Sequence, residues 1–325
     1  MPFCVTNGMH DQVNISNFAP FYRQQQSYLI DFNIFDQERI SLISILTIAM
    51  PFHQYFNGEI LPIDTSIYKS NDLGLLRAYG LFDYFRTYNG IPFRWNDYWQ
   101  RFENSAKLLK LKLPLNQEET GKILADLHAL SGEKEVAFRF VLTGGYSADS
   151  VSVVEPNFLI RTEALPQDNP AGRLKGIKVL PYEYVRDLPE IKSTNYVHMV
   201  LMADEMKRQE AADLLFYKDG EISELTRSNI FLFRENTLIT SNQNILNGIT
   251  RRVVMELAES YFKVEERPVT YDELMEADEV FTTSTTKWVM PVVQIGHHQV
   301  GTGEAGKQTL FLQKLFEELI AAWGK

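Results

Sequence analysis

The sequence predicts a mixed α/β (α+β) chain in two domains, and three observations carry that expectation. Its 325 residues are enough for two domains. Apolar runs of strand length alternate with longer stretches of helical spacing. A polar, Pro- and Gly-rich stretch, "PQDNPAGRLKG" at 166–176, separates the halves and reads as a linker. The expected layout is an extension over 1–49, a smaller domain over 50–165 and a larger one over 177–325.

The elements follow in order. "NGMHDQVNISNFAPFYRQQQS" is polar and aperiodic, and Met50-Pro51-Phe52 repeats the opening Met1-Pro2-Phe3, so Met50 is expected to be the true or an alternative initiator. "FHQYFNGEILPI" reads as a hairpin turning at Asn57-Gly58, and "GLFDYFRTYNGIPFRW" as a second turning at Asn89-Gly90. A helix is expected from about Asn96 to Leu109, with Tyr98, Phe102, Ala106 and Leu109 at helical spacing. "EVAFRFVLTGG" and "NFLIRTEAL" read as strands. Beyond the linker, "IKVLPYEYV" is a strand and 195–210 a helix with Tyr196, Met199, Val200, Ala203 and Met206 on one face. "DLLFY" with "KDGE" reads as strand and turn, "NIFLFRENTLIT" as a hairpin, and "DEVFTTST" as a strand between helices at 249–261 and 307–323.

Composition excludes several functions. With 45% hydrophobic and 12% aromatic residues the chain can bury a sizeable core. A net charge of −10 argues against nucleic-acid partners, which need a basic face. The single cysteine, Cys4, excludes an intrachain disulfide and fits a reducing compartment. No apolar run reaches the roughly 18 residues of a membrane span. The nearest, "ISLISILTIAM" at 40–50, follows Asp36, Glu38 and Arg39, so a cytoplasmic protein without membrane contact is expected. The histidines, His297-His298 included, lack metal-ligand spacing, so no metal is expected. "LTGGYS" is too short for a dinucleotide fingerprint.

Five segments could carry chemistry. Lys192 in "EIKSTNYV" sits where a strand-rich stretch passes into a helical pattern, either as a solvated helix-start residue or as an amine with a task. In "NGITRRVVMELAES", Gly248 allows a tight turn before Ile249 and Thr250, and such a helix start offers free amides and a positive dipole end to phosphate. Its ordinary reading is a helix start capped by threonine. "FTTSTTKWVMPV" places Ser284, Thr285 and Thr286 after a strand, as anion-binding hydroxyls or as a plain polar turn. Glu224 in "GEISELTRSNIF" is a surface carboxylate or an inward partner for a cation. Arg101 in "QRFENSAKLL" reads by itself as a solvated helix arginine.

Taken in order, arginine, lysine, glutamate, Gly-Ile-Thr and Ser-Thr resemble the class IV (fold-type IV) pyridoxal-phosphate aminotransferases. That family includes branched-chain and D-amino acid aminotransferases and aminodeoxychorismate lyase. The resemblance covers residues 54–325 and is most specific in "SELTRSNIF", "NGITR" and "DEVFTTSTTKWVMPV". It implies a small N-terminal α/β domain and a larger cofactor-binding domain with a barrel-like sheet. It also implies that Lys192 forms the Schiff base with pyridoxal phosphate and moves the substrate proton, as a desolvated lysine is suited to do. Glu224 would face the pyridine nitrogen. The amides of Ile249 and Thr250, with Arg101, Ser284 and Thr285, would hold the phosphate. Tyr196 would reach the ring hydroxyl, although the loop after the lysine is one residue shorter than in the branched-chain type. Leu246 would pack on the ring, and Asn229 would be a structural turn residue.

For substrate, the resemblance implies a pocket of Phe82, Arg139, Thr286 and Trp288, with Asp83 where the family carries Glu. Arg139 matches an arginine of the branched-chain pocket, and the Arg-X-His carboxylate trap of the D-type enzymes is missing from "LTGGYSADS". Tyr84 stands where the lyases carry threonine. The implied activity is transfer of an amino group from a branched-chain L-amino acid to a 2-oxo acid such as 2-oxoglutarate, in a homodimer. D-amino acid transamination, aminodeoxychorismate cleavage and a non-catalytic cofactor-binding homologue stay open.

Overall fold

The computed structural model describes residues 52–167 and 169–325. The expectations for 1–49 and for initiation at Met50 lie outside the described residues. The described residues form one compact unit.

The first sheet has six strands: β1 (His53–Phe56), β2 (Glu59–Pro62), β3 (Gly80–Tyr88), β4 (Ile91–Pro92), β5 (Ala137–Thr143) and β6 (Asn157–Glu163), in the order β2-β1-β6-β5-β3-β4. Both Asn-Gly turns form as expected. Asn57 and Gly58 lie at φ 47° and 106°, and Asn89 and Gly90 at 50° and 77°, a region that glycine and asparagine tolerate best. Along β3 alternate residues divide between two faces. Leu81, Asp83 and Phe85 are buried under the helices, whereas Phe82, Tyr84 and Arg86 are half-buried on the other face.

Helices α1 (Leu73–Arg77), α2 (Trp95–Leu108) and α3 (Gln117–Ser131) accompany this sheet. The helical spacing of Tyr98, Phe102 and Ala106 puts them on the buried side of α2, where they meet Phe85, Phe140 and Phe158. The sequence reading passed over α3, although its start carries a capping box: Asn116 Oδ1 accepts from the Glu119 amide, and the Glu119 carboxylate accepts from the Asn116 amide.

The second sheet is mixed and has nine strands: β7 (Ile177–Glu183), β8 (Asp213–Lys218), β9 (Glu221–Leu225), β10 (Asn229–Arg234), β11 (Thr237–Thr240), β12 (Lys263–Glu266), β13 (Glu279–Ser284), β14 (Trp288–Ile295) and β15 (His298–Gln299). The main path runs β12-β11-β10-β13-β14-β7-β8-β9. The Leu225 amide donates to the Ser228 carbonyl, so β9 turns straight into β10 and packs back against it, which curls the sheet. Helices α4 (Pro170–Lys175), α5 (Val197–Leu201), α6 (Ala203–Arg208), α7 (Ile249–Ala258), α8 (Tyr271–Met275) and α9 (Lys307–Ala322) complete this half. Val253 and Val254 of α7 and Phe316 of α9 share a core with Phe231, Phe233 and Phe281 of the sheet. No helix among the described residues is long and apolar enough to cross a membrane.

Two expectations are corrected. The stretch 166–176 is not plain linker, because Pro170 starts α4 with Asn169 as its cap. The helix over 195–210 is two short helices that meet at Met202, whose backbone leaves the helical region at φ −93°, ψ 3°. The expected stripe does not run through that break. Val200 is 68% exposed, and neither helix has a fully buried residue.

Candidate active site

Lys192 lies in the loop between β7 and α5, and backbone bonds fasten that loop to β3. The Phe82 amide donates to the Lys192 carbonyl (2.9 Å), and the Thr194 amide to the Gly80 carbonyl (3.0 Å). Its amine stands 4.7 Å from the centre of the Phe82 ring. Burial pulls the amine's pKa down to about 8; Arg101 and Arg186 act in the same direction, against Asp83 and Glu224.

Glu224 on β9 is buried and fully engaged. Arg186 donates to its Oε1 through Nε at 2.8 Å and stands at 2.6 Å through Nη2, while the Leu246 amide (3.0 Å) and Asn229 Nδ2 (3.3 Å) donate to Oε2. Burial raises its pKa nonetheless, opposed by Arg186, the Leu246 amide and Lys192. Arg186 also donates to the carbonyls of Ile191 and Pro189, which joins the lysine loop to the carboxylate. Asn229 is therefore more than a turn residue, since it also donates to the Leu246 carbonyl at 2.8 Å.

Gly248 is the N-cap of α7, and no side chain caps that helix, so the reading of a threonine cap is corrected. The first amides of α7 keep their donors for another partner. A Cβ at 248 would run into Asn229 Oδ1, so glycine here allows close packing. Lys192, Tyr196, Glu224, Leu246, Ile249, Thr250, Arg101, Ser284 and Thr285 line one cavity. Thr283 also lines it, and its buried Oγ1 has no hydrogen-bond partner among the described residues. Tyr98 and Thr285 share a hydroxyl–hydroxyl bond of 2.8 Å. Tyr196 packs edge-on to Phe82 at 5.5 Å, and burial pushes its hydroxyl up to about 12.

Arg101 is not a solvated helix arginine. It pairs with Asp83 through Nε (3.0 Å) and Nη2 (2.6 Å), while Nη1 reaches the Asn247 carbonyl at 3.4 Å. Asp83 points to the core side of β3, which is why it meets α2 and not the outer face.

An adjoining cavity of about 830 Å³ shares Lys192 and Tyr196 and is walled by Phe82, Tyr84, Val141 and Met199, with Thr286 at its side. The register pairs Tyr84 with Arg139 and Phe82 with Val141, which brings these four to one face. Arg139 is held by Glu163 at 2.6 and 2.9 Å. Trp288 stands apart from both cavities, lining a small neighbouring one of about 110 Å³. Its ring lies 4.3 Å from the Arg173 guanidinium and packs near Tyr88 and Phe316, so it does not narrow the larger cavity.

The sequence reading missed Arg186, and it missed a buried ion pair between Asp213 and Lys287 (2.6 Å). Arg186 precedes Lys192 by only six residues, but nothing in its neighbours marks it as a partner of Glu224. The assembled site offers an amine of lowered basicity, a buried carboxylate and an anion-binding helix start in one cavity. That set suits a small anionic cofactor with a reactive carbonyl.

A family described as amino-transferase class IV matches residues 80–295. A Methanocaldococcus jannaschii protein provisionally named a branched-chain-amino-acid aminotransferase is 29% identical, over 83% of this chain and 97% of its own. A D-alanine aminotransferase of Listeria monocytogenes is 30% identical over 83% and 96%. The solved branched-chain amino acid aminotransferase of Escherichia coli superposes with a TM-score of 0.74 at 23% identity, covering 84% of this chain and 97% of that one.

Proposed function

This chain belongs to the class IV aminotransferase family, and from that premise we propose that Lys192 is its catalytic amine, moving amino groups between an apolar amino acid and a 2-oxo acid such as 2-oxoglutarate. The family depends on pyridoxal phosphate, and the residues present fit that group. The uncapped start of α7 and the unpartnered Thr283 hydroxyl suit its phosphate, and Glu224 suits a ring nitrogen. When bound, the cofactor supplies a carbonyl that captures amines and a cationic ring that draws electrons from the substrate Cα. Lys192 would carry the proton from that Cα to the cofactor's carbonyl carbon, and the opposite way in the second half-reaction. Burial, which lowers the amine's basicity, favours the neutral form that this task needs. Glu224, braced by Arg186, would face the ring nitrogen and favour its protonated form. Ser284, Thr285 and the amides of Ile249 and Thr250 would hold the phosphate, with Arg101, already paired to Asp83, beside them; Tyr196 would reach the ring hydroxyl and Leu246 the ring face.

The observation that carries this reading is the meeting of Lys192, Glu224 and the α7 start in one cavity. Branched-chain L-amino acids are the first donors proposed, because Phe82, Tyr84, Val141 and Met199 make an apolar wall. A D-amino acid donor is the second reading. Glu163 already occupies Arg139, the residue that favoured the branched-chain type, and the Listeria relative is a D-alanine aminotransferase. Purified protein should absorb visible light through lysine-linked cofactor, and Lys192→Ala should lose that band and turnover together. A mutant with normal turnover would sink the assignment. In a panel of L-leucine, D-alanine and aminodeoxychorismate, conversion of the first supports the leading reading, and exclusive use of either other replaces it.

A cytoplasmic homodimer is also proposed. Leu75 on α1 and Val200 and Leu201 on α5 are 66%, 68% and 70% exposed, apolar side chains that a second copy would cover. Light scattering that finds only active monomer would contradict the dimer.

A further inference from the structure

The backbone ladder between β10 and β13 ends at the pair Asn229–Thr283. Beyond it run two turns, Thr226–Ser228 and, from Ser284 at the end of β13, Thr285–Lys287; Thr226, Ser228, Ser284 and Thr285 all line the cavity. No further rung of that ladder joins them. A buried polar cluster does. Asp213, 1% exposed at the start of β8, accepts at Oδ1 from the amides of Leu214 (3.0 Å) and Thr226 (3.2 Å) and from the Thr226 hydroxyl. Its Oδ2 takes the Lys287 ammonium at 2.6 Å, and that ammonium also approaches Ser228 Oγ at 3.5 Å. The Lys287 amide in turn donates to Ser284 Oγ at 3.1 Å.

We propose that Lys287 is a positioning residue for phosphate binding: its ion pair with Asp213 locks the Ser284–Thr285 turn against the Thr226–Ser228 turn, which fixes the hydroxyls that meet the cofactor's phosphate. The inference rests on the cofactor reading above. Lys287 itself is not a phosphate ligand here, since its ammonium is committed to a carboxylate on the far side of the turn. A buried pair of this kind sets geometry more than it adds stability, because desolvation offsets much of its attraction. Losing it frees the turn and costs affinity only for ligands that carry the phosphate.

The test uses the full-length protein, dialysed free of cofactor and titrated with pyridoxal phosphate or with pyridoxal, which lacks the phosphate. Lys287→Met should weaken pyridoxal phosphate by about tenfold, the size seen when an outer partner that orients a binding group is lost, and leave pyridoxal unchanged. The double variant Asp213→Asn/Lys287→Met, which buries no unpaired charge, should lose no more than the worse single variant. Lys287→Arg should recover most of the affinity. Equal weakening of both ligands, or no weakening of pyridoxal phosphate in the folded double variant, overturns the proposal. Failure of the unaltered protein to bind pyridoxal phosphate would instead overturn the cofactor reading.

Discussion

Lys192 loses most of its hydration beside two guanidinium groups, and the cost of its charge has a pH signature. Below pH 8 the amine is protonated in folded and unfolded chains alike, so the full penalty is present. Between about 8 and the ordinary 10.5 the folded protein sheds the proton first. Stability of the cofactor-free protein should therefore rise with pH across that window, by at most on the order of 3 kcal/mol. Urea midpoints measured on both sides of pH 9 check this, and Lys192→Met should flatten the rise; a rise that persists in the mutant assigns it to another group. Lys192 and Glu224 were each ambiguous alone and became candidates only through the family resemblance of the segments around them; the structure brings both to one cavity. Arg186 was not legible, because an ion-pair partner is chosen by the fold and a lone arginine carries no local mark. Arg101 was legible as a candidate, but its pairing with Asp83 depends on which face of β3 the aspartate takes.

Elements were readable where short-range chemistry decides them. The two Asn-Gly turns depend only on a backbone region that asparagine and glycine tolerate, and they formed as read. The helix over 195–210 was misread because a 3.6-residue period was taken to imply burial, and the break at Met202 carries no Gly or Pro signal. The start of α7 combines both lessons. Its Gly248 was visible in "NGITR", but the reason for glycine, the close approach of Asn229, belongs to the tertiary structure. Gly248→Ala should displace Asn229, which also braces Glu224 and the Leu246 carbonyl. We expect about 1–3 kcal/mol lost in urea unfolding, as for other overpacked sites, together with weaker pyridoxal phosphate binding. Unchanged values for both would show that the neighbour yields freely.

At the scale of the whole molecule the halves share their cores. Ile191 and Ile249 join the cluster under the first sheet, whereas Tyr88 and Phe93 of the first sheet's hairpin join the cluster of α7 and α9. Composition suggested a linker at 166–176, but it could not show this exchange of side chains, because the contacts join residues far apart in the chain. Residues 50–325 should accordingly unfold in one transition by both fluorescence and circular dichroism. Two separated transitions would show halves that fold independently.

The bonds from the lysine loop to β3 have a practical outcome. One half of the chain bears the reactive amine and the other provides the strand on which it rests, while the peptide between them is exposed at Gln167 and Asn169. Cutting there removes a covalent tether and leaves the seat intact. Two polypeptides ending and beginning near 168, produced together, should therefore find each other and restore colour, which makes this a protein that can be built from complementing pieces.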